Sequence, residues 1–117
     1  MKEQMEKNDP IDFASALERI GNDESFLKEL IDLYIATFEA KREEVSAAIE
    51  RRDFKAIREV GHCLKGSSAN LSLIPLQELS YRMETAGREE DIPKAREILI
   101  LLDQEFQRLK DFIPEKG

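Results

Sequence analysis

The chain has a single histidine, His62, set in the run "GHCLKGSS" from Gly61 to Ser68. An imidazole can act as a nucleophile or exchange a proton near neutral pH. Lys65, three positions on, puts an ammonium one helical turn along the same surface. Such a pair suits an anion approaching the ring, a phosphoryl group included. Gly66 stands at the fourth position. A glycine inside a helix costs about 1 kcal/mol relative to alanine, so one placed a turn beyond the histidine points to cleared space. Ala69 adds only a methyl on the same side, and Arg58, one turn before, adds a second cation. Most other chemistries are excluded. One cysteine, Cys63, and one histidine allow neither an internal disulfide nor a plausible zinc site. No phosphate-cradling glycine loop and no H-E-x-x-H stretch occurs.

Whether the ring is open to an incoming group depends on the helix that carries it. That helix is expected to start after Asp53, a good N-cap, and its apolar stripe runs Phe54, Ile57, Gly61, Leu64, Ser68, Leu71 in steps of three and four. At about 100° per residue the stripe centres roughly 140° from His62, so the histidine faces away from the core. Its surface neighbours are Lys55, Arg58, Glu59, Lys65, Gly66 and Ala69. By the same geometry Ser67 and Ser68 turn more toward the bundle, and Cys63, which nothing marks as activated, is read as a packing residue.

Three further long helices are expected. One runs from about Asp23 to Arg52 with Leu27, Leu30, Tyr34, Phe38, Val45, Ala48 and Ile49 inward. Another begins near Pro75, a residue suited to a first helical turn, and carries Leu76, Leu79, Met83 and Ala86 on one face. "GREEDIP" reads as a turn, after which Pro93 opens a helix with Ala95, Ile98, Leu99, Leu102, Phe106, Leu109 and Ile113 inward. A short helix capped by Asp12, with Phe13, Leu17 and Ile20 on one side, precedes them and covers one end. Short loops between long amphipathic helices make antiparallel neighbours. The expected fold is therefore all-α, an antiparallel up-down four-helix bundle with a short additional N-terminal helix. Residues 1–10 read as a flexible lead-in, 11–114 as the bundle domain and 115–117 as a tail.

At 117 residues the chain is one domain, 41% hydrophobic and 37% charged, with a net charge of −7. That sign argues against nucleic acid as partner. Its longest apolar runs span a few residues, so no membrane insertion is expected. With no apolar signal core at the start, the expected location is the cytoplasm, and a bundle with its own core is expected to be a monomer.

"GHCLKGSSANLS" resembles the signature of histidine-containing phosphotransfer (HPt) domains, roughly H-x-L-K-G-[SA]-[SAG]-x-[NS]-[LIV]-G, with His62, Leu64, Lys65, Gly66, Ser67, Ser68, Asn70 and Leu71 in register. The resemblance runs from about Ile11 to Ile113. It takes in "IGNDESFLKELIDLYIATF", "AAIERRDFKAIREVGH" and a later apolar-Glu pair, here Met83 and Glu84. Two departures stand out. Ser72 replaces a frequent glycine and puts the local turn geometry in question. Gly61 stands where alanine is common and is expected to loosen its helix slightly.

The resemblance implies a phosphoryl carrier without an ATP-binding or autokinase site and without a cofactor. His62 would accept the group at Nε2. Lys65 would offset phosphoryl charge, Gly66 would give steric clearance, and Glu84 on the next helix would orient the ring by holding the Nδ1 proton. Arg58, Lys65, Gly66 and Ala69 would meet the partner. That partner is a response-regulator receiver domain, which brings the aspartate and its Mg²⁺, or a hybrid sensor kinase. Two alternatives remain at this level: an adaptor bundle that is never phosphorylated, and the phosphoacceptor domain of a larger hybrid or chemotaxis-type kinase.

Overall fold

A computed structural model describes residues 9–116. Among them the chain forms five helices and no strand: α1 (Phe13–Arg19), α2 (Glu24–Arg51), α3 (Phe54–Asn70), α4 (Ile74–Arg88) and α5 (Ile92–Lys116). Aspartates start four of the five. Asp12, Asp23, Asp53 and Asp91 each accept a hydrogen bond from the backbone N–H three residues on, at 3.0–3.2 Å, so each satisfies a donor that the first helical turn leaves unpaired. α4 has no side-chain cap and starts instead with Pro75 in its first turn, where a missing N–H does no harm.

Connections of two or three residues (52–53, 71–73 and 89–91) force successive long helices to run antiparallel. α2 packs on α3, α3 on α4, α4 on α5, and α5 returns to α2, which closes the bundle. Arg42 of α2 holds Asp103 of α5 through Nε and Nη2, at 3.0 and 2.9 Å. The core follows the periodicity of the sequence. Leu27, Tyr34, Phe38, Val45, Ala48 and Ile49 of α2 are buried with Ile57, Val60 and Leu64 of α3, Leu76, Leu79, Met83 and Ala86 of α4, and Ala95, Ile98, Leu102, Phe106, Leu109 and Ile113 of α5. Leu30 and Leu99 are only partly buried, and Ile31 joins the core beside Leu27.

α1 covers the end of the bundle where the α3–α4 connection lies. The Asp12 N–H donates to the Ser72 carbonyl at 3.0 Å, the Ser72 hydroxyl donates to Ser15 at 3.1 Å, and Phe13 stacks on Phe112. Ser72 has φ 56°, a left-handed conformation that glycine adopts freely and other residues adopt at a cost of about 1–2 kcal/mol. That is the physical content of the departure from glycine at this position, and the two hydrogen bonds to α1 hold the turn in place.

Two expectations about boundaries change. Gly87 belongs to α4 and is buried, not part of a turn, and the helix continues through Arg88. α5 runs to Lys116, into the stretch read as a tail. Of the expected lead-in, residues 1–8 lie outside the described residues, and Pro10 is buried.

Candidate functional site

His62 projects from the middle of α3 with its side chain 70% exposed, as the position of the apolar stripe requires. One ring nitrogen is engaged: Nδ1 lies 3.2 Å from Oε2 of Glu84 on α4. Glu84 is itself largely buried, its side chain 11% exposed, and it is the centre of the cluster. Lys65 Nζ approaches its other oxygen, Oε1, at 2.9 Å, and Arg88 Nη2 lies 3.6 Å from Oε2. The Lys65 contact is thus a charged pair on a carboxylate oxygen buried from solvent.

The ammonium of Lys65 is the largest influence on Glu84 and holds its carboxyl below the usual carboxylate range. Burial opposes this, and the contact with His62 adds to the lowering. Glu84 is therefore a carboxylate at neutral pH and can only accept hydrogen bonds. It follows that His62 Nδ1 carries the proton and donates it to Oε2. In the neutral ring the lone pair is then on Nε2, the nitrogen directed away from Glu84.

Around this core the remaining expected residues are distributed as follows. Gly66 is exposed, and a Cβ added there would meet no atom within 4 Å. No feature of the fold demands a glycine at this position. Arg58 is exposed one turn before the histidine and Ala69 is half-buried two turns after it. The cations that reach Glu84 are Lys65 and Arg88, and Arg58 is not one of them. Ser68 is fully buried and shares a 2.8 Å hydrogen bond with Tyr34 of α2. Burial pushes the Tyr34 phenol up, so it stays a neutral hydroxyl in that bond. Ser67 is half-buried and Cys63 is a half-buried free thiol.

Three participants were not identified from the sequence. Arg88 lies one turn after Glu84, a spacing that could have suggested it. Tyr81 is half-exposed, and Lys65 Nζ sits 5.4 Å from the centre of its ring, a cation–π arrangement that steadies the ammonium. Gly61 is the third. It packs against α4: a Cβ there would collide with the backbone N and Cα of Glu84 and with the Ser80 carbonyl. Its occurrence in the inward stripe of α3 was the available signal. Among the described residues no group of three or more metal-ligating side chains occurs.

Comparisons with known proteins bear on the family and on the fold. A family model described as "Hpt domain" matches residues 29–112. The chain is 30% identical, over 86% of its length, to "Multistep phosphorelay regulator 1" of Schizosaccharomyces pombe, of which the match covers 36%. It is 25% identical, over 66% of its length, to "Phosphorelay intermediate protein YPD1" of Candida albicans, of which the match covers 42%. It thus spans well under half of either relative. Among solved structures, histidine-containing phosphotransfer protein B of Pseudomonas aeruginosa superposes with a TM-score of 0.81 at 20% identity, over 94% of this chain and 96% of that one. The HPT domain of a Shewanella sensor hybrid histidine kinase gives 0.74 at 14% identity, over 91% and 92%. These two likenesses establish the helical-bundle fold.

Proposed function

The chain belongs to the Hpt domain family, and on that premise we propose that it is a phosphorelay intermediate that accepts a phosphoryl group on His62 and passes it on to receiver-domain aspartates. The observation that carries this reading is the state of the ring: a solvent-facing Nε2 whose lone pair is kept free because Nδ1–H is held by an ionised Glu84.

Each step uses groups already described. The Nε2 lone pair attacks the phosphorus of an aspartyl phosphate on the receiver. The N–P bond forms as the acyl O–P bond breaks, and the aspartate leaves as a carboxylate. The Nδ1 proton stays in place, so the product imidazole is cationic, and the Glu84 carboxylate stabilises that charge. Lys65 has three N–H donors. One faces Glu84, and the others are available to phosphoryl oxygens. The bare surface at Gly66 leaves room for the phosphoryl group and for the receiver's active-site loops. The magnesium ion beside the receiver's aspartate is the partner's own.

Receiver docking extends beyond the histidine. Ser67 and Asn70, on the same helix, border an open groove that continues over Leu30, Leu33, Tyr34 and Leu71, and Leu33 is 63% exposed. Arg58 and Ala69 flank the docking area. No helix among the described residues is long and apolar enough to cross a membrane, and the proposed setting is a monomer in the cytoplasm.

Incubation with a set of phosphorylated receiver domains tests the reading. The expected result is transfer to this chain of an acid-labile, base-stable phosphate, absent from His62→Gln. Stoichiometric label on His62→Gln, or no label from any receiver together with unimpaired binding, would identify an unphosphorylated adaptor instead.

A further inference from the structure

Glu84 reaches His62 from a different helix, so the length of its hydrogen bond is set by how closely α3 and α4 approach. Two glycines make that approach possible. At Gly87 of α4 an added Cβ would run into the backbone of Arg58 and the Phe54 carbonyl on α3. At Gly61 of α3 it would run into the backbone of Glu84 itself. The two contacts face opposite ways across the same seam, and in both the obstructing atoms belong to main chain, which cannot swing aside. Gly61 is also the residue immediately before His62. The site of closest approach therefore coincides with the pair whose separation matters for chemistry.

We propose that Gly61 is a positioning residue for phosphoryl transfer: its missing Cβ lets the Glu84 main chain rest on α3, and that contact holds the carboxylate within hydrogen-bond reach of His62 Nδ1. The inference rests on the proposed role of His62, but its first consequence concerns the ring alone. At the α3–α4 spacing of this bundle there is no room for a Cβ at position 61, so a side chain there moves Glu84 outward. The 3.2 Å bond lengthens, Nδ1–H loses its acceptor, and the tautomer with the proton on Nε2 becomes populated. That tautomer has no lone pair at the nitrogen that attacks. Gly66 and Gly61 thus act in different ways on the same ring, the first by leaving the outer surface bare and the second by setting the depth of the inner partner.

The experiment combines ring ¹⁵N NMR with single-turnover transfer from a phosphorylated receiver, using the full chain. In the wild type the ring nitrogens should report a proton on Nδ1. Gly61→Ala should shift the population toward the Nε2–H form and slow transfer about tenfold or more, the effect of losing one well-placed hydrogen bond. Ile98→Val, a core change on α5, should perturb packing without moving either readout. In the Glu84→Ala background, Gly61→Ala should add no further change. Glu84→Asp shortens the reach by one methylene while leaving the glycine contact and the charge intact. It should reproduce the tautomer shift, and it serves as the test should Gly61→Ala not fold. Unchanged ring tautomers in folded Gly61→Ala, or in Glu84→Asp, would overturn the proposal. Because the NMR readout needs no receiver, it decides the positioning claim even where no transfer to His62 occurs, an outcome that would count against the proposed function instead.

Discussion

Glu84 shows how much of the site depends on one buried carboxylate. Its folded-state pKa lies below the ordinary value, chiefly through Lys65. A carboxyl depressed in this way stabilises the fold fully above its unfolded pKa, about 4.3, and the contribution is lost as pH falls through the folded value. Lys65→Ala should therefore raise the Glu84 pKa, which a carboxyl ¹³C NMR titration measures. The stability difference between wild type and variant should be largest at neutral pH and shrink in acid as Glu84 protonates, as denaturant unfolding across that range would show. A pH-independent difference would mean that the lysine acts by packing alone. Gly66 makes the opposite kind of prediction. Since a Cβ there meets nothing, Gly66→Ala should stabilise the free protein by about 1 kcal/mol, read as a higher midpoint in denaturant. Transfer from the receiver should nonetheless slow. The sequence made His62, Lys65 and Gly66 legible because all three share one helix, where spacing translates directly into geometry. The pairing of His62 with Glu84 came only from family resemblance, since residues 62 and 84 lie on separate helices and no periodicity within one helix fixes contact with another.

At the scale of the elements, caps and stripes were legible and inter-helix distance was not. Asp12 and Asp53 cap the helices they were expected to cap, and Pro75 and Pro93 sit in first turns. Gly87 was misplaced because a glycine followed by charged residues has the composition of a turn. Its actual cause, contact with the main chain of α3, is tertiary. The ends of the helices retain strain that can be measured. Arg52, the exposed C-cap of α2, has φ 56°, a position where glycine is the usual solution. Arg52→Gly should stabilise the protein by about 0.5–1 kcal/mol, a gain that thermal unfolding would register. A loss of stability would show that the arginine side chain contributes more than its backbone conformation costs.

For the whole molecule, the bundle is a support 44 × 24 × 21 Å that presents the His62 ring, the proposed phosphoacceptor, from the outer face of α3 near its middle. The all-helical architecture was readable from the sequence because every long segment repeats its apolar residues at helical spacing and every connection is short. The end-capping role of α1 was likewise expected, and the turn at Ser72 supplies its anchor. The central claim joins these scales: the α3–α4 packing holds Glu84 on Nδ1 so that phosphate goes to the other nitrogen. The most direct measurement is ³¹P and ¹⁵N NMR of the protein after phosphorylation by a receiver, locating the phosphoryl group on the ring. The account predicts phosphate on Nε2 of His62 with Nδ1 still protonated. Phosphate on Nδ1, or on any residue other than His62, would contradict it.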